Sequence, residues 1–432
     1  MDQGATAFVL LSAAIASVCV PGAILLHTGR TRSPRSSVLP ALIAVAVAGI
    51  LWVLVGHAIV LGDTAAEGFV GLGGVAGIDP SLLGLRGLLE TGSGGRADDL
   101  PASALQAVFA ALAVALVMVS SAVRDRPVVS GVFASVWVAV VYFPLASWIF
   151  NVQWGVEGIV GGGWLVAGLA DLVGVGALDF GGGLAVHVTA GASALALAAV
   201  SRRRPGIVSG IPGEPGSVIA GRSTPPSAGI PFVLLGGGML WFGSVGLSAG
   251  AEGAADEIAA LVVVNTLAAP AAASLSWLIV EHVRDGKPTA RGAVTGAAAG
   301  LAAIAAGSAY LAPLGALVLG LVAGALAAVV VGSLRRSGGA GPTDVVGVHL
   351  TGGLLGSVFL GVAAQGTGVV YSGRIDQLLA QIIAAACVAG SAFVATWILA
   401  SALRLGRPAR FEQKRSATVA GGEAHASSSE RS

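Results

Sequence analysis

Residues 176–200 read GALDFGGGLAVHVTAGASALALAAV, and this stretch decides the fold class. A segment of about 20 mostly apolar residues is long enough to cross the hydrocarbon core of a bilayer. Only two ionisable side chains interrupt the stretch, Asp179 and His187. Ionisable groups inside such segments are unfavourable, and they usually face a cavity or the interior of a helix bundle. The stretch therefore predicts a transmembrane helix over 177–200 with polar groups directed into a bundle.

The rest of the chain carries similar apolar segments. Of its 432 residues, 55% are hydrophobic and 10% are charged, whereas an ordinary soluble domain has about 25% charged residues. The 66 glycines suit helices that pack closely in lipid. We therefore expect an all-α membrane protein with eleven transmembrane helices. Besides 177–200, the predicted helices are 5–27, 38–61, 103–123, 128–150, 229–249, 257–281, 291–310, 312–333, 345–363 and 378–403.

The basic residues test this helix count, because they stay on the cytoplasmic side during membrane insertion. If the N-terminus lies outside, every Lys and Arg falls in a cytoplasmic loop or tail except Arg86, Arg96 and Arg374. A wrong count would scramble this separation. We therefore predict an N-out/C-in, multi-pass protein of the cell (inner or plasma) membrane. Residues 1–406 would form the membrane domain, and the polar residues 407–432 a disordered cytoplasmic tail.

A second segment repeats the pattern of an acidic residue followed by a histidine. Residues 343–353 read TDVVGVHLTGG, with Thr343 or Asp344 as the expected N-cap of the predicted helix and His349 inside the helix. The first and sixth predicted helices also share an opening, because both contain Phe-Val-Leu-Leu. These matches predict a 5+5 inverted repeat plus one helix. In such repeats the conduction path lies between the two halves, near the membrane midplane.

The two histidines have two interpretations. A lone histidine in an apolar helix is usually a packing residue, but one in each half at matched depth indicates the lining of a pore. A neutral imidazole has one donor and one acceptor nitrogen, so two joined rings can bind a small polar molecule or relay a proton. Such a pair suits a substrate that crosses after losing a proton. A permanent cation would need rings of oxygen ligands instead.

Asp179 and His27 also leave two interpretations open. Asp179 precedes the fifth helix, so its carboxylate can accept hydrogen bonds from the free N–H groups of the first turn. It can also place a buried negative charge near a cation site. His27 lies at the inner end of the first helix. It either reaches water beside neighbouring arginines or forms a third titratable station below the histidine pair.

At these residues the chain resembles the Amt/Rh ammonium transporter family. Four segments are similar to the family's motifs in helix 5, helix 10 and helices 6 to 8: 176–195, 344–357, 240–251 and 263–304. The resemblance implies a homotrimer of eleven-helix subunits. Each pore would recruit ammonium from outside, remove a proton and pass the substrate between twin histidines. Those histidines match His187 and His349, and the family's two carboxylates match Asp179 and Asp344.

The resemblance also identifies an outer site, where this chain departs from the family pattern. Phe109 keeps one gate position, and Phe150 aligns best with the family's vestibule Trp. Leu247 replaces the second gate Phe, Ser248 replaces an Asn, and Ala251 replaces the Ser whose hydroxyl helps to bind ammonium. Cation–π attraction is worth roughly 0.5–2 kcal/mol and is strongest with Trp. The sequence therefore predicts weak capture of the cation.

Transmembrane transport of ammonium or ammonia is the function that these motifs favour, with two alternatives. One is an Rh-like channel for neutral gas, ammonia or carbon dioxide, which the missing Trp and Ser favour. The other is an ammonium-responsive sensor, against which the short polar tail argues. The sequence shows no nucleophile–base set, phosphate loop or metal-ligand spacing, so we expect no enzyme, cofactor, metal site or nucleic-acid partner. The expected partners are membrane lipid and two further copies of the chain in the homotrimer. A PII-type regulator is not expected, because the tail lacks the acidic pattern expected for control by such a signalling protein.

Overall fold

The computed structural model describes residues 3–29, 34–63, 70–72, 75–89, 99–120, 127–155, 158–202, 229–336, 344–403 and 405. Eleven apolar helices dominate this part of the chain. In order they are α1 (Gln3–Thr28), α2 (Val38–Val60), α3 (Leu100–Val119), α4 (Val128–Phe150), α5 (Gly183–Val200), α6 (Ile230–Gly250), α7 (Glu257–Asp285), α8 (Ala290–Ile304), α9 (Pro313–Arg336), α10 (Val345–Ala363) and α11 (Asp376–Ala402). Among the described residues, all of these helices except α8 are long and apolar enough to cross a membrane.

Smaller elements connect the long helices. Two antiparallel hairpins follow α2 and α4, namely β1 (Val70–Leu72) with β2 (Ala76–Ile78) and β3 (Val152–Gly155) with β4 (Gly158–Gly162). Short helices cover Pro80–Leu85, Arg86–Leu89, Trp164–Val173 and Val369–Ser372. The indole N–H of Trp148, near the end of α4, donates to the carbonyl oxygen of Val75 over 2.5 Å. This bond ties the turn of the first hairpin to α4.

Each of the eleven predicted segments coincides with a helix. The largest differences are at the start of the fifth, which was predicted at 177 and begins at Gly183, and at the end of the eighth. The helix predicted over 291–310 ends at Ile304. Beyond it, the carbonyl oxygens of Ala305 and Ala306 accept hydrogen bonds from the backbone N–H groups of Gly181 and Phe180, over 2.7 and 3.1 Å. The chain therefore turns to support the segment before α5, and its uniform Ala/Gly composition gave no sign of this stop. The predicted tail, 407–432, lies outside the described residues.

Successive helices cross the bundle in alternating directions. Consequently α1, α3 and α5 begin at the end of the bundle where α2, α4 and α6 finish. We call this the Phe150 end, after the last residue of α4, and the opposite one the His27 end, after a residue in the last turn of α1. The segment before α5 and both hairpins lie at the Phe150 end, because α2 and α4 lead into them.

Helices α1 and α6 pack antiparallel through glycines. A Cβ atom on Gly22 would lie 2.5 Å from the backbone nitrogen of Leu240, and one on Gly243 would collide with the backbone of Cys19. The missing side chains let the two backbones approach closely, as small residues commonly do between membrane helices. The first helix of one half thus packs, in the opposite direction, on the first helix of the other. This arrangement agrees with the predicted inverted repeat.

Candidate functional site: a histidine chain between two helices

The two predicted pore histidines lie in contact at the centre of the bundle. The Nδ1 atoms of His187 on α5 and His349 on α10 are 3.1 Å apart, which is hydrogen-bond distance. The rings stack with an interplanar angle of 16° and centroids 5.0 Å apart. His187 is 6% exposed and His349 is fully buried. An imidazole pair in such surroundings can share one proton between its two Nδ1 atoms, since one ring donates and the other accepts.

Each of the two rings stands in a wide π-helical turn. The turns are Gly183–Val188 and Val345–Leu350, and the histidine is the fifth of six residues in both. Such turns are rare, and they occur frequently at functional sites. The wider turn changes the direction in which the following side chains leave the helix. The two halves therefore present their histidines through the same local distortion.

Glycines bring α5 and α10 close enough for the rings to meet. A Cβ on Gly191 would lie 2.5 Å from the Cβ of Leu350, and one on Gly353 would lie 2.6 Å from the carbonyl oxygen of Gly183. Any larger residue at these positions would separate the helices. His187 lies between Gly183 and Gly191, and Leu350 follows His349 directly. The close crossing of the two backbones is thus what places the rings at 3.1 Å.

A third histidine continues the contact towards the other end of the bundle. The Nε2 atom of His27, in the last turn of α1, lies 3.1 Å from Nε2 of His349. The ring centroids are 5.2 Å apart and the planes are inclined by 58°. His27 is only partly buried, unlike His349. Of the two interpretations that the sequence left open, the geometry therefore favours a position on the histidine line.

Asp179 holds the start of α5 from the Phe150 end. Its Oδ2 atom accepts hydrogen bonds from the backbone N–H groups of Leu184 and Ala185, over 2.9 and 2.8 Å. The residue is 8% exposed. Both N–H groups lie near the start of the π-helical turn, where backbone N–H groups have no partner within the helix. The carboxylate therefore fixes the turn that carries His187 and also places a negative charge at the positive end of the helix dipole.

Two glutamines of α11 hold the segment that carries Asp179, and we did not predict them from the sequence. Gln381 accepts from the backbone N–H of Leu178 over 2.7 Å and donates to its carbonyl oxygen over 2.9 Å. Gln377 donates to the carbonyl oxygen of Gly176 over 3.1 Å. Their spacing of four residues within an otherwise apolar helix could have shown a shared, buried polar face.

Asp344, which the sequence paired with Asp179, occupies a different environment. Its Oδ1 atom accepts from Arg335 over 2.8 Å, and its side chain makes no cap hydrogen bond to α10. We expected a capping residue here. The backbone of Asp344 is already helical, with φ −76° and ψ −40°, whereas a capping side chain acts from a non-helical residue. Thr343, the other candidate cap, lies outside the described residues.

The predicted gate residues gather at the Phe150 end. The rings of Phe109 and Phe150 lie with centroids 5.2 Å apart, inclined by 50°. Phe109 also covers Gly182, whose φ is +85° and where a Cβ would lie 3.1 Å from that ring. Gly182 precedes the π-helical turn of His187 directly. The aromatic pair therefore lies immediately beside the start of α5.

The end of α6 forms another side of the same region. Leu247 and Ser248 are buried near the end of α6, and Ala251 follows the helix partly exposed. A Cβ on Gly181 would lie 2.9 Å from the Ser248 hydroxyl oxygen, so this serine borders the segment before α5. Next to Ala251, partial burial and the nearby Asp256 raise the pKa of Glu252 above its usual value.

Trp148, which contacts Trp164 at this end, was not predicted from the sequence. The rings of Trp148 and Trp164 meet edge to face with centroids 5.6 Å apart. Both side chains pack against the same apolar cluster as Phe150. Trp148 stands two residues before Phe150, on the last turn of α4. This position close to Phe150, the predicted vestibule residue, could have identified Trp148 from the sequence.

These features define a multi-pass membrane protein with a line of histidines through its helix bundle and aromatic residues at one end. A sequence model of the Ammonium Transporter Family matches residues 7–415, and the chain belongs to this family. It is 34% identical to an ammonium transporter of Mycobacterium tuberculosis over 461 aligned positions, covering 99% of this chain and 90% of that protein.

Two further similarities agree with this assignment. The ammonium transporter Amt1 of Archaeoglobus fulgidus is 32% identical to this chain, with 93% of each chain covered. Among solved structures, Mep2 of Saccharomyces cerevisiae superimposes with a TM-score of 0.77 at 26% identity. That alignment covers 92% of this chain and 85% of Mep2.

Proposed function

We propose that this protein transports ammonium, taken up as the cation and passed on as ammonia, along the line of His187 and His349. The observation that carries the proposal is the 3.1 Å contact between their Nδ1 atoms in the buried centre of the bundle. Burial of an imidazole disfavours its charged form, so neutral rings face the path. Neutral donors and acceptors can bind ammonia, but they do not replace the hydration shell of a permanent cation.

The cation would be received at the Phe150 end. The partly exposed Phe150 offers an aromatic face to a cation, with the fully buried Phe109 packed against it as the gate residue. Trp148 packs against the same apolar cluster as Phe150. The exposed Asp256 and Glu257 add negative charge to this end. With Leu247, Ser248 and Ala251 on the α6 side, the site lacks a hydroxyl at position 251, and we propose that it captures ammonium weakly.

The orientation and assembly are part of the proposal. Most basic residues fall in the loops predicted to be cytoplasmic, which supports a Phe150 end that faces outside and a His27 end that faces the cytoplasm. We place the protein in the plasma (inner) membrane as a homotrimer with one pore per subunit. Resemblance to the family supports the trimer.

The test is uptake of radiolabelled methylammonium into proteoliposomes, measured with and without a membrane potential. We expect uptake by the wild-type protein and at least about tenfold less in His187→Ala and His349→Ala, because each removes one partner of the buried pair. Full uptake in both variants would contradict the proposal. Uptake that ignores the potential would favour the second candidate, a neutral-gas channel, which Leu247 and Ala251 in the outer site support.

A further inference from the structure

We propose that His27, His349 and His187 form one three-imidazole relay that carries the proton released by ammonium to the His27 end. The inference rests on the proposed function, and it adds a path for the proton and a residue that ends this path. Its basis is the position of His349, whose two ring nitrogens each lie 3.1 Å from a nitrogen of another histidine.

The contacts restrict where the protons of a neutral chain can be. Each N···N hydrogen bond holds one proton, and neutral His349 has one N–H and one acceptor nitrogen. It must therefore donate to one neighbour and accept from the other. In the first arrangement His187 donates through Nδ1, His349 donates through Nε2, and the proton of His27 is on Nδ1. In the second arrangement every proton has moved to the other nitrogen of its ring, and both hydrogen bonds are reversed.

Passage of one proton converts the first arrangement into the second. Ammonium gives a proton to Nε2 of His187 and leaves as ammonia. The Nδ1 proton of His187 moves to Nδ1 of His349, the Nε2 proton of His349 moves to Nε2 of His27, and His27 releases its Nδ1 proton to water. One proton enters, one leaves, and three N–H bonds exist before and after. The rings must turn back to the first arrangement before the next proton crosses, so each turnover includes this reset.

The burial of the three rings suits this direction of transfer. His349 is fully buried and His187 is 6% exposed, so neither can exchange a proton easily with bulk water. His27 is the more accessible ring, since it is only partly buried, and it lies in the last turn of α1. A relay that stopped at His349 would leave the proton in the buried centre, where a charge is strongly disfavoured. His27 extends the path to the edge of the bundle.

The experiment uses the full chain in proteoliposomes on a solid-supported membrane. Ammonium pulses give the current, and a pH dye inside the liposomes reports ammonia that enters without its proton, because ammonia that arrives with a proton forms ammonium again. The variants are His27→Phe, which removes the ring nitrogens, and His27→Gln, which keeps a hydrogen-bonding group but cannot pass a proton through itself. His282→Gln is the matched control, because His282 is exposed in the last turn of α7.

We expect at least about tenfold less current in both His27 variants, because a positioned proton-transfer group contributes roughly 10²–10⁴-fold. Ammonia that still enters the His27 variants arrives without its proton, so alkalinisation should exceed that of wild type, and His282→Gln should match wild type in both signals. Undiminished current in His27→Gln would overturn the relay through His27, as would a wild-type protein that admits ammonia without current. Absence of both signals in the wild type would instead contradict the proposed function.

A second measurement does not depend on the variants. If His27→Phe and His27→Gln fail to insert, the wild-type current is compared in water and heavy water. A relay through successive N–H bonds predicts a smaller current in heavy water while methylammonium still binds equally well. An unchanged current would overturn the proposal.

Discussion

Replacement of Asp179 by Asn tests whether this carboxylate acts first as a structural support of α5. The side chain accepts two backbone hydrogen bonds from Leu184 and Ala185 at 2.9 and 2.8 Å while 8% exposed. Asn has almost the same shape and keeps one carbonyl oxygen. The substitution therefore removes the charge but leaves an acceptor at the start of the π-helical turn.

The two hydrogen bonds give the size of the effect. A hydrogen bond to a charged group contributes about 1.5–3 kcal/mol, and a neutral one about 0.5–1.5 kcal/mol. Loss of the charge at two bonds should therefore cost about 2–3 kcal/mol. Asp179→Ala leaves both buried N–H groups without an acceptor, and the same values give about 3–6 kcal/mol. The smaller loss corresponds to a decrease of roughly 2–3 °C in the unfolding temperature of a chain of 432 residues, because the entropy of unfolding is about 2.1 cal/mol/K per residue.

Asp256→Asn is the matched control for this measurement. Asp256 caps α7 through a single hydrogen bond from the N–H of Ala259 at 2.9 Å, and it is exposed. Asn is as good a cap as Asp at an exposed helix start, so we expect a change below about 0.5 kcal/mol. The same chemical substitution should thus destabilise the protein only where the carboxylate is buried.

Thermal unfolding in detergent and ammonium uptake are measured on the same preparations. We expect Asp179→Asn to lower the unfolding temperature and the uptake together, with Asp179→Ala worse in both. Normal expression and an unchanged unfolding temperature combined with abolished uptake would refute this reasoning. That result would show that the negative charge acts on the substrate and is not needed for the fold.

Three further predictions follow from the geometry. Ala251→Ser restores a hydroxyl at the Phe150 end, and one added hydrogen bond of about 0.5–1.5 kcal/mol should lower the half-saturating ammonium concentration roughly 2- to 12-fold; unchanged uptake kinetics would show that ammonium is captured elsewhere. Gly191→Ala forces α5 away from Leu350, which should lower the free energy of unfolding by about 1–3 kcal/mol and abolish most of the uptake. Gly49→Ala is its control, because the space around Gly49 is open, and it should change neither the unfolding temperature nor the uptake. Gln381→Ala frees the segment before α5 and should lower the unfolding temperature by several degrees; an unaltered melting curve would show that this anchor is dispensable.

The positions of the helices could be predicted from the sequence because lipid imposes one simple requirement. A span must be apolar over about 20 residues, and this requirement is visible without any knowledge of packing. The histidine pair could be predicted for a related reason, since a polar residue in such a span is unfavourable unless it faces the interior. The eighth helix shows where this reasoning stops. Its end at Ile304 is determined by hydrogen bonds from Phe180 and Gly181, which are more than 120 residues away in the chain.

The local geometry of the site could not be predicted, because it depends on contacts between helices. Nothing in the letters around His187 and His349 distinguishes a π-helical turn from an α-helical one. From the sequence, the ring of His27 could face either water or the histidine pair. The packing of α1 beside α10 is what brings it into contact with His349. Gln381 was missed for the same reason, because its partners are the backbone atoms of a distant segment.

The two halves of the repeat carry different polar groups at the two ends of the histidine line, and a transporter needs this difference. An inverted repeat alone would make both ends of the path equivalent, and a cation would be stabilised equally at each. Here Asp179 places a buried carboxylate at the Phe150 end, whereas its counterpart Asp344 is paired with Arg335 on the other side. Among the described residues, a third imidazole joins the buried His349 at the His27 end alone. On the proposed function, the cation is therefore favoured at one end, and the proton separated from it has its exit at the other.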